Sequence, residues 1–424
     1  MSEWKKVKLG EIASSIQTGP FGSQLHQSDY SDEGTPVVMP KDIINGHIDE
    51  TTIARVEKHH VDRLVRHKIT EGDIIYARRG DVGKCAYIVD NQNGWLCGTG
   101  CLKVTIDRAK AIPKFVFFQL QKRETIGWVE KHAIGATMLN LNTSILSEVP
   151  IELPSLLIQN RVVEILSRYD TLIENYQKQI KLLEEAAQRL YKEWFVDFRF
   201  PGYENVKMVD GLPEGWERKT LGEVVTKSIG GGWGKETPQE KYDREGYVIR
   251  GTDISKLKNG SLNEIPFRYH TESNLKERTL SDGDIIFEVS GGSEKEPVGR
   301  MYLITQPILD YYSKDVICAS FCKKVSFTNK MISVLCYFAM QHCRNTGDMK
   351  KFEKDSAGNI INFAWTTFLE DFNVLLPNNE VLNAFYRRVN AIINSEVKLS
   401  LQIRLLTEAR DRLLPRLMRG EMEV

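Results

Sequence analysis

Three groups of residues in this 424-residue chain have types and spacings that could do chemistry. Cys97-x3-Cys101 and Cys318-x3-Cys322, with Cys336 and His342-Cys343 beyond them, carry the thiolates and imidazole of a zinc site. A structural zinc needs four such ligands together, and the first pair has no second pair near it. Both pairs sit in apolar, strand-like runs where free cysteine serves as a small core residue, and no metal site is expected. Gly230-Gly231-Gly232-Trp233-Gly234-Lys235 places glycines beside a lysine, as in a phosphate-binding loop. That loop needs a glycine where Ile229 stands and a Ser or Thr where Glu236 stands, so the run is read as a flexible turn. No Asp…Glu-x-Lys cluster follows a strand, and His59-His60 falls on a charged segment and reads as solvated.

The elements that position these residues come from a duplicated chain. Gln179-Ile180-Lys181-Leu182-Leu183-Glu184-Glu185-Ala186 returns, with most positions kept, as Gln402-Ile403-Arg404-Leu405-Leu406-Thr407-Glu408-Ala409. Such internal repeats decide the architecture. Trp4-x4-Leu9-Gly10-Glu11 is matched by Trp216-x4-Leu221-Gly222-Glu223, Asp42-Ile43 by Asp253-Ile254, and Gly83-Lys84 by Gly299-Arg300. Glu71-Gly72-Asp73-Ile74-Ile75-Tyr76 is matched by Asp282-Gly283-Asp284-Ile285-Ile286-Phe287, a turn leading into a buried strand. Each half closes on a strand ending in proline, at Pro154 and Pro377, that sets up a long helix.

The first helix carries an apolar ladder, Tyr169, Ile173, Tyr176, Ile180, Leu183, Ala187, Leu190 and Trp194, with the four-three step of a coiled-coil seam. The second is Ile392, Glu396, Leu399, Ile403, Leu406, Arg410, Leu413 and Leu417, in which Glu396 and Arg410 interrupt the apolar seam. The expectation is an α+β protein: two mixed α/β domains in tandem repeat, separated by two long antiparallel coiled-coil helices. The divisions are 1–154 for the first domain, 155–200 for its helix, 201–215 for a linker, 216–377 for the second domain and 378–424 for the second helix.

Bulk properties narrow the class. Composition is 41% hydrophobic and 27% charged, that of a folded globular chain. No apolar run is long enough for a membrane span, and Met1-Ser2-Glu3-Trp4-Lys5-Lys6 leads into no signal-like apolar stretch. A cytoplasmic protein with reduced cysteines is expected. Lys+Arg and Asp+Glu are balanced at 57 each, so any basic face has to be assembled by folding.

The duplicated order resembles the specificity subunit of a type I restriction-modification system. The carriers are the two Trp-x4-Leu-Gly-Glu openings, the second after Leu212-Pro213-Glu214-Gly215, the two domain-length inserts, and the two long helices. The Leu413-Leu414-Pro415-Arg416-Leu417-Met418-Arg419-Gly420 ending and the Thr18-Gly19-Pro20-Phe21-Gly22-Ser23 turn add to it. The resemblance implies a subunit without catalytic residues or a cofactor of its own. Its domains each read half of a split double-stranded DNA target, and its helices space them. The partners implied are two modification subunits, which methylate adenine at N6 with S-adenosylmethionine. Restriction subunits that use ATP and Mg2+ complete the set. The chain lacks the Asp/Asn-Pro-Pro-Tyr/Phe motif of an amino-methyltransferase, in keeping with that division. A non-catalytic coiled-coil scaffold for protein partners is the alternative.

Base readout needs Arg, Lys, Asn or Gln at base edges, while phosphate contacts position the protein. In the first domain the candidates are Arg78 and Arg79, leaving a strand at a Gly-containing turn, with Lys84, Ser23, Gln24, Lys41, Thr137, Asn140 and Asn142. The arginines could equally form a surface salt-bridge cluster with Asp81. In the second domain they are Trp233, Lys235, Arg250, Thr252, Lys256, Arg300, Asn359 and Asn362. The segment from Ser290 lacks both arginines, as expected if the halves read different bases. Phe21 is read as a packed loop anchor. The seam from Tyr169 to Trp194 would span about 38 Å, close to one turn of B-DNA at roughly 34–36 Å.

Overall fold

The structure is a computed structural model describing residues 4–135, 139–292, 297–355 and 361–422. The chain divides into two compact units, Met1–Thr171 with Thr407–Val424, and Leu172–Leu406. Both are mixed α/β, as the duplicated patterning required.

In the first unit a four-stranded antiparallel sheet has the order Ala13–Thr18, Cys101–Ile106, Ile74–Ala77, Cys85–Tyr87. The Ile74–Ala77 strand is buried on both faces. Strand alternation explains why: Ile74 and Tyr76 face the helix Pro113–Leu120, through Phe115 and Phe118. Ile75 and Ala77 face the other way, onto Val38, Ile43 and Cys97. Val38 and Cys97 belong to a second sheet, ordered Leu96–Cys97, Thr35–Val38, Ala54–Val56, Tyr30–Ser31, whose first two strands are parallel. The result is a helix, a sheet and a second sheet in layers.

The second unit repeats this plan. Its sheet runs Val225–Gly230, Cys322–Phe327, Ile285–Glu288, Met301–Leu303, again antiparallel. Its second sheet runs Phe267–His270, Arg244–Ile249, Asp315–Cys318, with the last pair parallel. The matched acids do the same work in both. Asp73 is buried and accepts the Thr70 N–H (2.8 Å) and the Thr105 hydroxyl (2.6 Å). Asp284 is buried and accepts the Ser281 N–H (2.7 Å) and the Ser326 hydroxyl (2.6 Å). A carboxylate with two donors fixes the turn that starts the buried strand.

Each opening motif pairs with the proline-ended strand that closes its half. Lys5–Lys8 lies antiparallel to Pro150–Leu153, and Glu217–Thr220 to Asn373–Leu376. The leucines that follow, Leu9 and Leu221, are fully buried.

The long helices are Leu156–Tyr191, ending in a π-turn at Lys192–Val196, and Asn379–Met418. They pack antiparallel within each unit. In the second unit Ile173, Tyr176 and Ile180 cluster with Leu399, Ile403 and Leu406, while Tyr191, Trp194 and Phe195 meet Phe385, far earlier in the second helix. In the first unit Val162 and Leu166 share a core with Leu417 and Met418, and Leu413 packs beside them. Tyr169, Leu183 and Ile392 are half-buried, and Ala187 and Leu190 turn into the second unit's core.

The two charged seam positions are both engaged. Arg410 Nη1 donates to Asp170 of the first helix at 3.0 Å, within the first unit. Glu396, in the second unit, lines a cavity of about 40 Å³ with Glu184, Lys258, Tyr302, Tyr337 and Ser400. Lys258 Nζ reaches Glu184 at 2.6 Å, and the Ser400 hydroxyl donates to the Lys258 carbonyl at 2.7 Å. Burial, aided by Glu184 and opposed by Lys258, pushes the Glu396 carboxyl up to about 8. Among the described residues no helix is long and apolar enough to cross a membrane.

Candidate nucleic-acid interface

In the first unit, three loops leave the same end of the four-stranded sheet, because the register sets Thr18, Cys101, Ala77 and Cys85 side by side. Backbone bonds tie them together. Gly19 N–H donates to the Cys101 carbonyl (2.9 Å), and Arg78 N–H to the Gly100 carbonyl (2.8 Å). Leu141 N–H donates in turn to the Arg78 carbonyl (2.8 Å), and Arg79 bridges to Asn140. Gly19 is required here, since a Cβ would lie 1.9 Å from the Gly98 carbonyl oxygen. This brings Ser23, Gln24, Arg78, Arg79, Lys84 and Asn140 to one end of the sheet. Arg79 is exposed, and among the described residues its side chain has no hydrogen-bond or ion-pair partner. Arg78 lies with its guanidinium over the Phe21 ring, 5.9 Å from the centroid. Asn140 Oδ1 is buried and has no partner among the described residues.

The second unit reproduces the scaffold bond for bond. Gly231 N–H donates to the Cys322 carbonyl (2.9 Å), Val289 N–H to the Phe321 carbonyl (2.9 Å), and Phe363 N–H to the Val289 carbonyl (2.8 Å). By these bonds Trp233 is the counterpart of Phe21, Phe321 of Gly100, Val289 and Ser290 of Arg78 and Arg79, and Asn362 of Asn140. The Gly230–Gly234 run is therefore not the flexible turn expected. A Cβ at Gly231 would lie 2.1 Å from the Cys318 carbonyl oxygen, and Gly234, at φ +75°, sits against His270. Lys235 and Tyr269 exchange both backbone bonds at 2.9 Å. These glycines permit close approach of backbones.

A family model described as the type I restriction modification DNA specificity domain matches residues 1–185. The type I restriction enzyme MjaIX specificity subunit of Methanocaldococcus jannaschii is 25% identical, over 99% of this chain and 93% of its own. The type I restriction enzyme HindI specificity subunit of Haemophilus influenzae is 23% identical, over the full length of both. The chain is thus similar to type I restriction enzyme specificity subunits, along its whole length in the first two relatives. The S subunit structure from M. genitalium has the same fold, with a TM-score of 0.54 at 16% identity, covering 98% of this chain and 96% of that one. DNA sequence recognition is the role of this family.

The second unit offers fewer free cations than the sequence suggests. Arg300 Nε and Nη2 donate to the buried Glu288 at 2.9 and 2.6 Å. Arg250 makes a similar fork to the buried Asp253, at 2.8 and 2.7 Å. Lys256 pairs with Glu264 at 2.5 Å, and Lys235 lies over the Tyr242 ring. Thr252 is exposed, and Asn362 Oδ1 accepts the Ser290 hydroxyl at 2.5 Å. In the first unit Asn142 caps the helix Thr143–Ser147, accepting the Ile145 N–H at 2.8 Å, and Gln24 accepts the Phe21 N–H at 3.2 Å. Lys84 pairs with Asp81 at 3.0 Å, and Lys41 donates to the Thr52 carbonyl at 2.9 Å. Thr137 and Asn359 lie outside the described residues.

The surface also holds what residue-type reasoning missed. Phe21, read as a packed anchor, is 52% exposed, Trp233 is 39% exposed, and Phe321 is 66% exposed. Setting Cys97-x3-Cys101 against Cys318-x3-Cys322 puts Phe321 opposite a turn glycine, and that was the available signal. The cysteines themselves are buried, and burial pushes the thiols of Cys97 and Cys318 up to about 12. Among the described residues no cluster of His, Cys, Asp and Glu could hold a metal ion.

Proposed function

We propose that each unit reads one half of a split double-stranded DNA target, and that the long helices set the unread spacer and dock two modification subunits. Those subunits supply S-adenosylmethionine-dependent N6 methylation of adenine. Restriction subunits, using ATP and Mg2+, join the same complex. The chain itself holds no cofactor and contributes recognition and scaffolding in the cytoplasm.

One observation carries this reading. The same strand order and the same backbone bonds present loops from the same end of each sheet, while the side chains on those loops differ. A conserved frame with divergent loop chemistry suits two readers of two different sequences. The helix Leu156–Tyr191, at 36 residues, is about 54 Å long at ~1.5 Å per residue, enough for a ruler on the scale of a DNA turn.

Methylome sequencing of cells with and without this gene tests the proposal. A bipartite N6-methyladenine motif that disappears with the gene is expected. A continuous motif, or none, would count against it. Inserting one helical turn into each long helix should lengthen the spacer and leave both half-sites unchanged, whereas altered half-site bases would refute the ruler.

A further inference from the structure

We infer that the two units read half-sites of different chemistry: the first through Arg79 on a guanine, the second through the ring of Phe321 on the methyl group of a thymine. The inference rests on the DNA-recognition reading above and deepens it.

In the first unit, Arg79 projects from the strand end as an exposed fork with no partner among the described residues. A guanidinium fork matches the O6 and N7 acceptors of guanine in the major groove. Its neighbour across the bridge, Asn140, also holds an acceptor with no partner among the described residues.

In the second unit the equivalent positions carry no such fork. Val289 replaces Arg78, and Ser290 replaces Arg79 with its hydroxyl already given to Asn362. The arginines near the same end are held by carboxylates: Arg300 by Glu288, Arg250 by Asp253, and Arg268 by Glu236 at 3.1 Å. Arg268 also lies over the Trp233 ring, 4.9 Å from its centroid. What the second unit adds is apolar. Phe321 stands where the first unit has Gly100, and it is the most exposed large hydrophobic side chain among the described residues, at 66%. A ring left in water has apolar area to bury. In the major groove the thymine 5-methyl is the apolar feature that distinguishes bases.

A duplex library randomised over both half-sites, made once with thymidine and once with deoxyuridine triphosphate, tests this. It is selected by the full chain assembled with its modification subunits. The wild type should fix a guanine in one half-site and a thymine in the other. Uracil should lower enrichment at the thymine about fourfold, the worth of one buried methyl. Phe321→Ala should cause the same fall on the thymine library and be indifferent to uracil. Arg79→Ala should lose selection for guanine and keep the thymine half-site. Both residues are exposed, and co-purification of the modification subunits checks that the variants fold. Two results would overturn the inference: a wild type indifferent to uracil, even where Phe321→Ala weakens binding, since that ring would be stacking or wedging instead; or Arg79→Ala retaining guanine selection. A wild type that enriches no sequence removes the DNA-recognition reading itself, and the inference with it.

Discussion

At the end of the Ile74–Ala77 strand the first unit has Ala77, Arg78 and Arg79; at the end of Ile285–Glu288 the second has Glu288, Val289 and Ser290. The backbone bonds around both triplets are the same. In the first unit positive charge is left at the surface, whereas in the second a buried carboxylate draws an arginine inward and a ring takes the outer position. Duplication has kept the hydrogen-bonded frame, where change is costly, and altered the loop side chains, where it is not. The same division holds along the helices. The first unit joins them through Asp170 and Arg410, and the second lodges Glu396 beside Glu184 and Lys258.

The sharpest way to break the comparison is to remove Glu288. Glu288→Ala leaves the guanidinium of Arg300 in a buried site without its carboxylate, and should lower stability by about 3 kcal/mol, read by chemical denaturation. In the first unit Ala77 occupies that position, and Lys84, the counterpart of Arg300, pairs with the exposed Asp81. If Glu288→Ala were neutral, the inward-held arginine would not be a structural feature of the second unit.

Arg410→Met should have the next largest effect. Among the described residues Asp170, buried, would keep Lys114 at 3.9 Å, and stability should fall by about 2 kcal/mol. A larger loss from Lys114→Met than from Arg410→Met would reassign the main partner of Asp170.

Glu396→Gln should act in the opposite sense, and only as pH rises. The Glu396 carboxyl titrates at about 8 in the folded state, above its usual 4.5. The folded chain then holds a proton that the unfolded chain has lost, so this group's contribution to stability falls as pH rises from about 4.5 to 8 and is flat beyond. Glutamine removes that decline. The variant should gain stability relative to wild type as pH rises from about 4.5 to 8, and match it near pH 4.5. A constant difference across that range in thermal melts would show that Glu396 is not the titrating group.

Much of this was legible in the sequence because the repeats constrain each other. The two turns Glu71-Gly72-Asp73-Ile74-Ile75 and Asp282-Gly283-Asp284-Ile285-Ile286 located the buried central strands, and the four-three ladder located the helix pair. Other features depend on contacts between residues far apart in the chain. Lys5–Lys8 and Pro150–Leu153 are too short to announce their pairing. Glu184 and Lys258 meet only once the helix is laid on its domain. Arg300 and Arg250 look like DNA-facing cations by type, and only the fold reveals the buried carboxylates beside them. Phe21 and Phe321 look like core by type, because an exposed ring leaves no local mark on hydrophobic patterning.

The central claim is that the loops at the sheet ends, with Arg78 and Arg79 foremost, make the DNA contact. Its most direct test is the affinity of the chain, assembled in the complex proposed above, for a duplex carrying the proposed bipartite motif, at fixed salt, for wild type and for Arg78→Ala/Arg79→Ala. Loss of two guanidinium groups should weaken binding on the order of 100-fold while the modification subunits still co-purify. Wild-type affinity in the double variant would contradict the account.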